Sequence, residues 1–164
     1  MKQIIAVLAL LVGIPVLADV IRGPDVRFDF TGTFDANRVF SGTFTASGGV
    51  NEVGTAVDDH RFSGDAIHIT RLLTTSHGDY ITIQINTNHA AGSNAAPPAW
   101  CPAPPTPAGT TLFFEVGNWR VVSGTGVYAL LNGTGDRAAW YILEGTGVPL
   151  AATECLIGQV QSVH

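Results

Sequence analysis

Val26-Arg-Phe-Asp-Phe-Thr-Gly-Thr-Phe34 is the stretch that decides the fold class of this chain. Every second residue from Val26 is apolar or glycine, whereas the residues between them are charged or carry a hydroxyl group. A period of two predicts a β-strand with one buried face and one face in water. Residues 39–46 repeat the pattern, and turn-forming residues at 35–38 separate the two stretches, so we predict a hairpin.

Six more strands are predicted downstream, at residues 65–72, 79–88, 111–122, 125–132, 138–146 and 156–163. The polar, glycine-rich stretch 47–60 is predicted to form a loop. Gly-Thr-Gly occurs three times, at 124–126, 133–135 and 145–147, a spacing typical of short strands separated by tight bends. We therefore expect an all-β protein with a single eight-stranded antiparallel β-barrel, because closing the sheet removes its exposed edges.

The N-terminal segment has the pattern of a signal peptide, with a positive charge followed by an apolar run from Ile4 to Leu17. The small residues Val16 and Ala18 mark a cleavage site. A retained membrane anchor is the alternative, but the run is shorter than the ~20 residues that a spanning helix needs. We expect a signal peptide at 1–18 and a barrel domain at 19–164 that is secreted or periplasmic, with no stable membrane span after cleavage.

The charge of the chain excludes one large class of partners. Lys2 is the only lysine, so cleavage would leave seven arginines against thirteen carboxylates, a net charge of −6. No basic stripe is present, and nucleic-acid binding is therefore not expected. The sequence leaves oligomer formation open.

Two cysteines, Cys101 and Cys155, lie in the exported part, and an even count in an oxidising compartment favours a disulfide. Cys101 sits in a proline-rich loop at 89–109 that contains six prolines. Proline cannot donate a ladder hydrogen bond, so this segment interrupts the strands. It is either a connector that the disulfide anchors or a lid over the mouth of the barrel.

The stretch from Gly117 to Gly135 resembles the signature of the allene-oxide-cyclase-like barrel superfamily, which includes plant dirigent proteins. The likeness consists of a strand, the Gly-Thr-Gly turn with Gly124 and Gly126, the aromatic Tyr128, a short bend, and the glycine pair Gly133 and Gly135. The resemblance implies an eight-stranded barrel with an apolar cavity, and some members cyclise or steer reactive hydrophobic intermediates. The four glycines are interpreted as structural turn residues, so the motif by itself carries no activity.

Four residues near this motif are candidates for binding a small hydrophobic ligand. They are Trp119, Trp140, Tyr128 and Arg120. Arg120 suits an anionic group on a ligand or a neighbouring carboxylate, and Tyr128 suits either a ligand contact or a packing plug.

Glu115, Glu144 and Tyr128 are the candidates for catalysis, because a carboxylate on an apolar face can be desolvated and act as an acid or base. Alternation places Glu115 with Trp119, but the opposite face is also apolar, so the sequence does not identify the interior. The five histidines lack the spacing of metal ligands, and we expect no metal and no cofactor. Three functions remain open: a barrel that binds or steers a hydrophobic molecule, an enzyme of the cyclase or isomerase type with a cavity carboxylate, and a packed structural or surface-interaction barrel.

Overall fold

Eight antiparallel strands close into a barrel in which each strand pairs with the next and the last pairs with the first. The computed structural model describes residues 25–63, 66–88, 96–145 and 147–162. The strands are β1 (Asp25–Phe34), β2 (Phe40–Gly48), β3 (Glu52–Ser63), β4 (Ala66–Thr75), β5 (Tyr80–Asn88), β6 (Thr110–Gly124), β7 (Leu131–Glu144) and β8 (Pro149–Ser162). The predicted fold class is confirmed, and the predicted signal peptide lies outside the described residues.

The interior is filled by the inward-facing side chains of the alternating strands. Phe28 and Phe30 of β1 are fully buried, with ring centroids 6.2 Å apart, and Trp119 of β6 meets Phe28 edge-on at 5.7 Å. The three inward isoleucines of β5 are also fully buried. We call the two ends the Phe34 end, which holds the β1–β2 and β7–β8 turns, and the Tyr128 end, which holds the β6–β7 turn.

One strand of the barrel was predicted as a loop, and that prediction is wrong. Residues 47–60 were expected to be irregular, but β3 occupies Glu52–Ser63. Its hydrophobic pattern is inverted, because the inward positions carry Gly54, Ala56 and Asp58, whereas Val53 and Val57 face the solvent. Small and charged residues inside the barrel conceal the alternation that identifies the other strands.

The prediction of a strand at 125–132 is also wrong. The predicted number of eight strands is nevertheless correct, because β3 was missed and this additional strand was predicted in its place. Gly126–Tyr128 forms a short 3-10 turn between β6 and β7. Gly133 and Gly135 lie within β7 instead of in a turn. A Cβ atom at Gly135 would collide with the backbone of β8 at Ile157 and Gly158, so glycine is needed for the close approach of the two strands.

The described part of the proline-rich loop, residues 96–109, lies on the outer wall of the barrel, and we call it the strap. The predicted disulfide between Cys101 and Cys155 is confirmed, with Cα atoms 5.7 Å apart. Cys101 packs with Phe114 of β6 and Ala138 of β7, and both cysteines are buried. The strap therefore covers an apolar patch on the outer face of β6, β7 and β8.

We expect Gly126→Val to lower the melting temperature by several degrees. Gly126 has a φ of +53°, and a Cβ atom there would collide with the carboxylate of Asp79, so the substitution adds both backbone strain and a clash. Thermal unfolding followed by circular dichroism measures the effect. Gly78→Val separates the two causes, because Gly78 also has a positive φ of 88° but has no other atom within 4 Å of the place where a Cβ would lie. Equal losses for the two variants would contradict the role of Asp79.

Candidate functional site

Five charged side chains lie inside the barrel toward the Phe34 end, each at most 4% exposed. Each occupies an inward position of its strand, and five different strands contribute. They are Asp58 of β3, Arg71 of β4, Glu115 of β6, Arg137 of β7 and Glu154 of β8. Buried charges are expensive unless they are paired and hydrogen-bonded, so their pairing decides whether the layer is stable.

Glu154 is the centre of this buried charged layer. One carboxylate oxygen accepts a hydrogen bond from Nε of Arg137 at 2.9 Å, and the other accepts from Nη2 of Arg71 at 3.0 Å. Arg71 also donates to Asp58 at 2.6 Å, and Arg137 donates to Glu115 at 3.0 Å. The five side chains therefore form one continuous series of ion pairs from Asp58 to Glu115.

The surroundings of Arg71 and Glu154 keep both groups charged. The guanidinium of Arg71 lies over the rings of Phe30 and Phe40, 4.5 and 4.7 Å from their centroids. Burial alone would raise the pKa of Glu154, but the positive charges of Arg137 and Arg71 outweigh it and lower that pKa to about 2. Glu154 is therefore a structural anion at neutral pH and not a general base.

Protonation of Glu154 is expected to lower the free energy of unfolding of the barrel as the pH falls toward 2. Its folded pKa lies below the ordinary value of 4.5, so its stabilising contribution is complete above about pH 4.5 and is lost as the pH falls through 2. The shift corresponds to roughly 3 kcal/mol of unfolding free energy. Urea unfolding between pH 6 and pH 2 measures it, and Glu154→Gln should flatten the profile, whereas the exposed Glu144→Gln should not. A wild-type profile that stays flat over this range would contradict the assignment.

Tyr141 connects the charged layer to the mouth of the barrel. Its hydroxyl accepts a hydrogen bond from Nη2 of Arg137 at 2.7 Å and lies 3.3 Å from Glu115 Oε2, to which it donates. Burial is the largest cause that raises the pKa of Tyr141, and the nearby carboxylates raise it further. The charge of Arg137 lowers that pKa but does not outweigh them, so the phenol stays protonated. Phe34 and Phe113 stand beside its ring, with centroids 6.0 and 6.2 Å away.

Phe34, Phe113 and Tyr141 are each only half-buried, unlike the aromatic side chains in the middle of the barrel. We call these three residues the aromatic rim. The rim lies directly above Arg137 and Glu115, so an apolar surface and a hydrogen-bonding layer meet at this end of the barrel. A molecule with an apolar body and one polar group would find both at this place.

The three residues predicted from the sequence to be catalytic, Glu115, Glu144 and Tyr128, lie in three different places. Glu115 is inside the barrel and is bound to Arg137, whereas Glu144 is exposed where β7 ends. Tyr128 lies at the opposite end, where it donates a hydrogen bond to Glu52 at 2.7 Å and packs against the core. Burial and the charge of Glu52 raise the pKa of Tyr128, so its phenol stays protonated. Tyr128 therefore has the properties of a side chain that closes this end of the barrel by packing. The structure therefore does not bring the three candidates together.

The proposed ligand-binding residues are also divided between the two faces of the barrel wall. Trp119 is buried in the filled middle of the barrel, with its indole N–H donating to the Ile157 carbonyl at 3.0 Å. Trp140 lies on the outer face under the strap and donates to the Cys101 carbonyl at 3.0 Å. Arg120 is exposed on the outer wall and donates to Gln84 at 2.6 Å. Trp119, Trp140 and Arg120 therefore share no pocket.

Sequence reasoning missed Arg71, Arg137, Glu154 and Tyr141. One signal was present for Arg137 and Tyr141, because they share the i, i+2, i+4 face of β7 with Ala139. β7 alone does not show whether this face points into the barrel or outward, since the opposite face carries the apolar residues Ala138 and Trp140. Arg71 carries the clearer signal, because it stands between Ile69 and Leu73 on one face of β4.

A separate depression lies on the outer wall near the Tyr128 end, where β7, β8, β1 and β2 adjoin. This groove has a volume of about 590 Å³ and is lined by residues that include Asp25, Arg27, Asp136, Ile157 and Gln159. The charge of Arg27 is balanced by Asp29, whose carboxylate it contacts at 2.6 Å. The groove is open to solvent along exposed side chains, and the buried charged side chains of the Phe34 end are not part of its lining.

Within the described ranges, no three histidine, cysteine or acidic side chains come close enough to hold a metal ion. The same part of the chain has no helix that is long and apolar enough to cross a membrane. Comparisons of the chain with protein-family models, with curated proteins and with solved structures found no match. The functional argument therefore rests on the geometry at the Phe34 end.

Proposed function

We propose that this chain is an exported barrel protein that binds a small hydrophobic molecule at the Phe34 end. The rings of the aromatic rim provide the apolar contacts, and the Tyr141 hydroxyl, which Arg137 and Glu115 hold in place, orients one polar group of the ligand. The observation that carries the proposal is that two half-buried rings, Phe34 and Phe113, flank the half-buried Tyr141, whose hydroxyl is hydrogen-bonded to Arg137 and Glu115. The likeness of the Gly117–Gly135 stretch to the allene-oxide-cyclase-like superfamily supports the same class of ligand.

The filled middle of the barrel limits where the ligand can lie. Trp119, Phe28 and Phe44 are at most 2% exposed, and their rings contact one another directly or through Phe28. An eight-stranded barrel has room for side chains or for one small ligand, and here side chains occupy the middle. The proposed ligand therefore sits at the rim and reaches no deeper than Tyr141.

Tyr141 is the proposed partner of the polar group of the ligand. Its phenol is protonated at neutral pH and is positioned by Arg137, so it can donate a hydrogen bond once it turns from Glu115 to the ligand. A neutral carbonyl or hydroxyl group would suit this donor. A ligand carboxylate would be placed close to Glu115, and the repulsion would weaken its binding.

Two fluorescent probes with similar aromatic bodies test the proposal. N-phenyl-1-naphthylamine is uncharged, whereas 8-anilinonaphthalene-1-sulfonate carries a sulfonate group. We expect saturable binding of the uncharged probe and weaker binding of the anionic probe. Phe113→Ala should weaken binding of the uncharged probe about tenfold, which corresponds to about 1.4 kcal/mol of lost apolar contact.

Tyr128→Phe and Arg120→Ala are the matched controls for this titration. Tyr128 lies at the opposite end of the barrel and Arg120 on its outer wall, so neither change should alter the affinity for either probe. The absence of saturable binding would favour a packed structural barrel. Equal affinity of Phe113→Ala and the wild type would show that the probe binds elsewhere, and either result contradicts the proposal.

An enzyme of the cyclase or isomerase type is the second candidate, and the contact between Tyr141 and Glu115 is the observation that favours it. A phenol hydrogen-bonded to a buried carboxylate is a pair that can move a proton. Native mass spectrometry of secreted protein would identify a molecule that copurifies with it. Conversion of that molecule by the wild type, and not by Tyr141→Phe, would support the enzyme, whereas its recovery unchanged from the wild type would support binding alone.

A further inference from the structure

Residues 102–107 of the strap form an extended stretch on the surface of the barrel, and we call them the proline stretch. They read Pro-Ala-Pro-Pro-Thr-Pro, belong to no helix, strand or turn, and are all exposed except the half-buried Pro104. The proline ring fixes φ at about −65°, and a residue that precedes proline is restricted to extended conformations. Each residue of the stretch is a proline or precedes one, so the sequence favours the polyproline II conformation here.

Both ends of the proline stretch are anchored to the barrel. Before it, Cys101 is joined to Cys155 of β8, and the Cys101 carbonyl accepts a hydrogen bond from the indole of Trp140 at 3.0 Å. At its end, the Pro107 carbonyl accepts from the backbone N–H of Thr110 at 3.2 Å and from the Thr110 hydroxyl at 2.8 Å. The exposed segment is therefore presented at a fixed place on the outer wall.

Thr106 is the only residue of the proline stretch that carries a hydroxyl group. Its side chain is exposed, and its hydroxyl makes no hydrogen bond within the described part of the chain. Thr125 is the other described threonine outside the strands, but its hydroxyl accepts a hydrogen bond from the backbone N–H of Tyr80 at 2.8 Å. Thr106 is therefore the described threonine whose hydroxyl an enzyme can reach on an extended chain without breaking a hydrogen bond.

The chemistry around Thr106 suits an attached sugar. Residues 90–114 contain no charged residue and no histidine. Proline and alanine side chains offer no hydrogen-bonding group, so the Thr106 hydroxyl and the main chain are the only polar groups that the proline stretch presents to water. Exposed segments that combine threonine with proline are typical acceptors of O-linked sugars, whose hydroxyl groups hydrate such segments.

We propose that Thr106 is an O-glycosylation site, modified by a glycosyltransferase that binds the proline stretch as an extended peptide. The donor is an activated sugar phosphate. The Thr106 Oγ1 forms a bond to C1 of the sugar, the bond between C1 and the phosphate oxygen breaks, the phosphate leaves, and the hydroxyl proton passes to a base of the transferase. The inference rests on export, which is the first part of the proposed function, and not on the ligand site at the Phe34 end.

Mass spectrometry of the chain secreted by its native source tests the inference. The intact mass should be that of the cleaved chain plus one or more sugar units. Trypsin places Thr106 and Thr125 in different peptides, 72–120 and 121–137, because the chain has no arginine or lysine between Arg71 and Arg120. Electron-transfer fragmentation of the reduced 72–120 peptide should locate the sugar on Thr106, and the 121–137 peptide should be unmodified.

Thr106→Ala should be secreted with the bare mass of the cleaved chain and with an unchanged melting temperature, because the side chain is exposed. Thr106→Ser should keep the sugar, since serine retains the acceptor hydroxyl. Thr111→Ala is the matched control, because Thr111 is an exposed threonine nearby on β6 and its loss should leave the modification intact.

A cleaved, secreted wild-type chain with its bare mass would overturn the inference and leave export standing. A sugar on another residue, or a phosphate group on Thr106, would also overturn it. A chain that keeps residues 1–18 and stays in the cell would overturn the inference together with the export on which it rests.

Discussion

Arg137→Met is expected to lower the free energy of unfolding by about 3–5 kcal/mol. Arg137 donates to Glu154, Glu115 and Tyr141 at 2.9, 3.0 and 2.7 Å, and its side chain is fully buried. Methionine fills most of the volume but leaves two buried carboxylates without this cation. Urea unfolding at pH 7 measures the loss, which should lower the melting temperature by about 10 °C or more.

Two comparisons distinguish a lost ion pair from a general disturbance. Arg120→Met removes an exposed arginine that contacts Gln84, and it should change stability by no more than about 0.5 kcal/mol. In a double-mutant cycle, Glu115→Gln should cost less in the Arg137→Met background than in the wild type, because the buried charge of Glu115 has already lost its ion pair with Arg137 there. Purely additive losses would show that Arg137 and Glu115 do not interact.

Trp119→Ala is the second substitution with a large expected effect, a loss of about 3–5 kcal/mol. The indole is 1% exposed, meets Phe28 edge-on and donates its N–H to the Ile157 carbonyl, so its removal leaves a cavity and an unsatisfied acceptor. Chemical denaturation followed by circular dichroism measures the loss. Trp140→Ala is the control, because Trp140 is half-buried on the outer face and should cost less. A larger loss for Trp140→Ala would contradict the assignment of Trp119 to the interior.

The strands that the sequence places most accurately are β1 and β5, whose inward side chains are large and apolar. The phenylalanines of β1 and the isoleucines of β5 alternate with polar residues, and both strands lie where they were predicted. β3 was missed because Ala56 and Asp58 face inward while Val57 faces out. Strand prediction from one sequence assumes that apolar residues face the core, whereas Val57 of β3 faces the solvent.

The candidate site could be predicted only in part, for a related reason. Glu115 was singled out because it shares a face with Trp119, and that face is indeed interior. Its partner Arg137 comes from β7, and the second carboxylate that Arg137 binds, Glu154, comes from β8. Their proximity depends on the strand register, in which Ala139 pairs with both Glu115 and Glu154. Strand register is a property of the closed sheet, so it could not be read from any one strand.

A titration of the ¹⁵N-labelled protein with N-phenyl-1-naphthylamine, followed by two-dimensional amide NMR, tests the central proposal most directly. Binding at the aromatic rim predicts saturable shifts that cluster at Phe34, Phe113 and Tyr141, with the amides around Tyr128 and Glu52 at the other end unchanged. Shifts confined to the outer wall, or no saturable shift at any concentration, would contradict a ligand site at the Phe34 end.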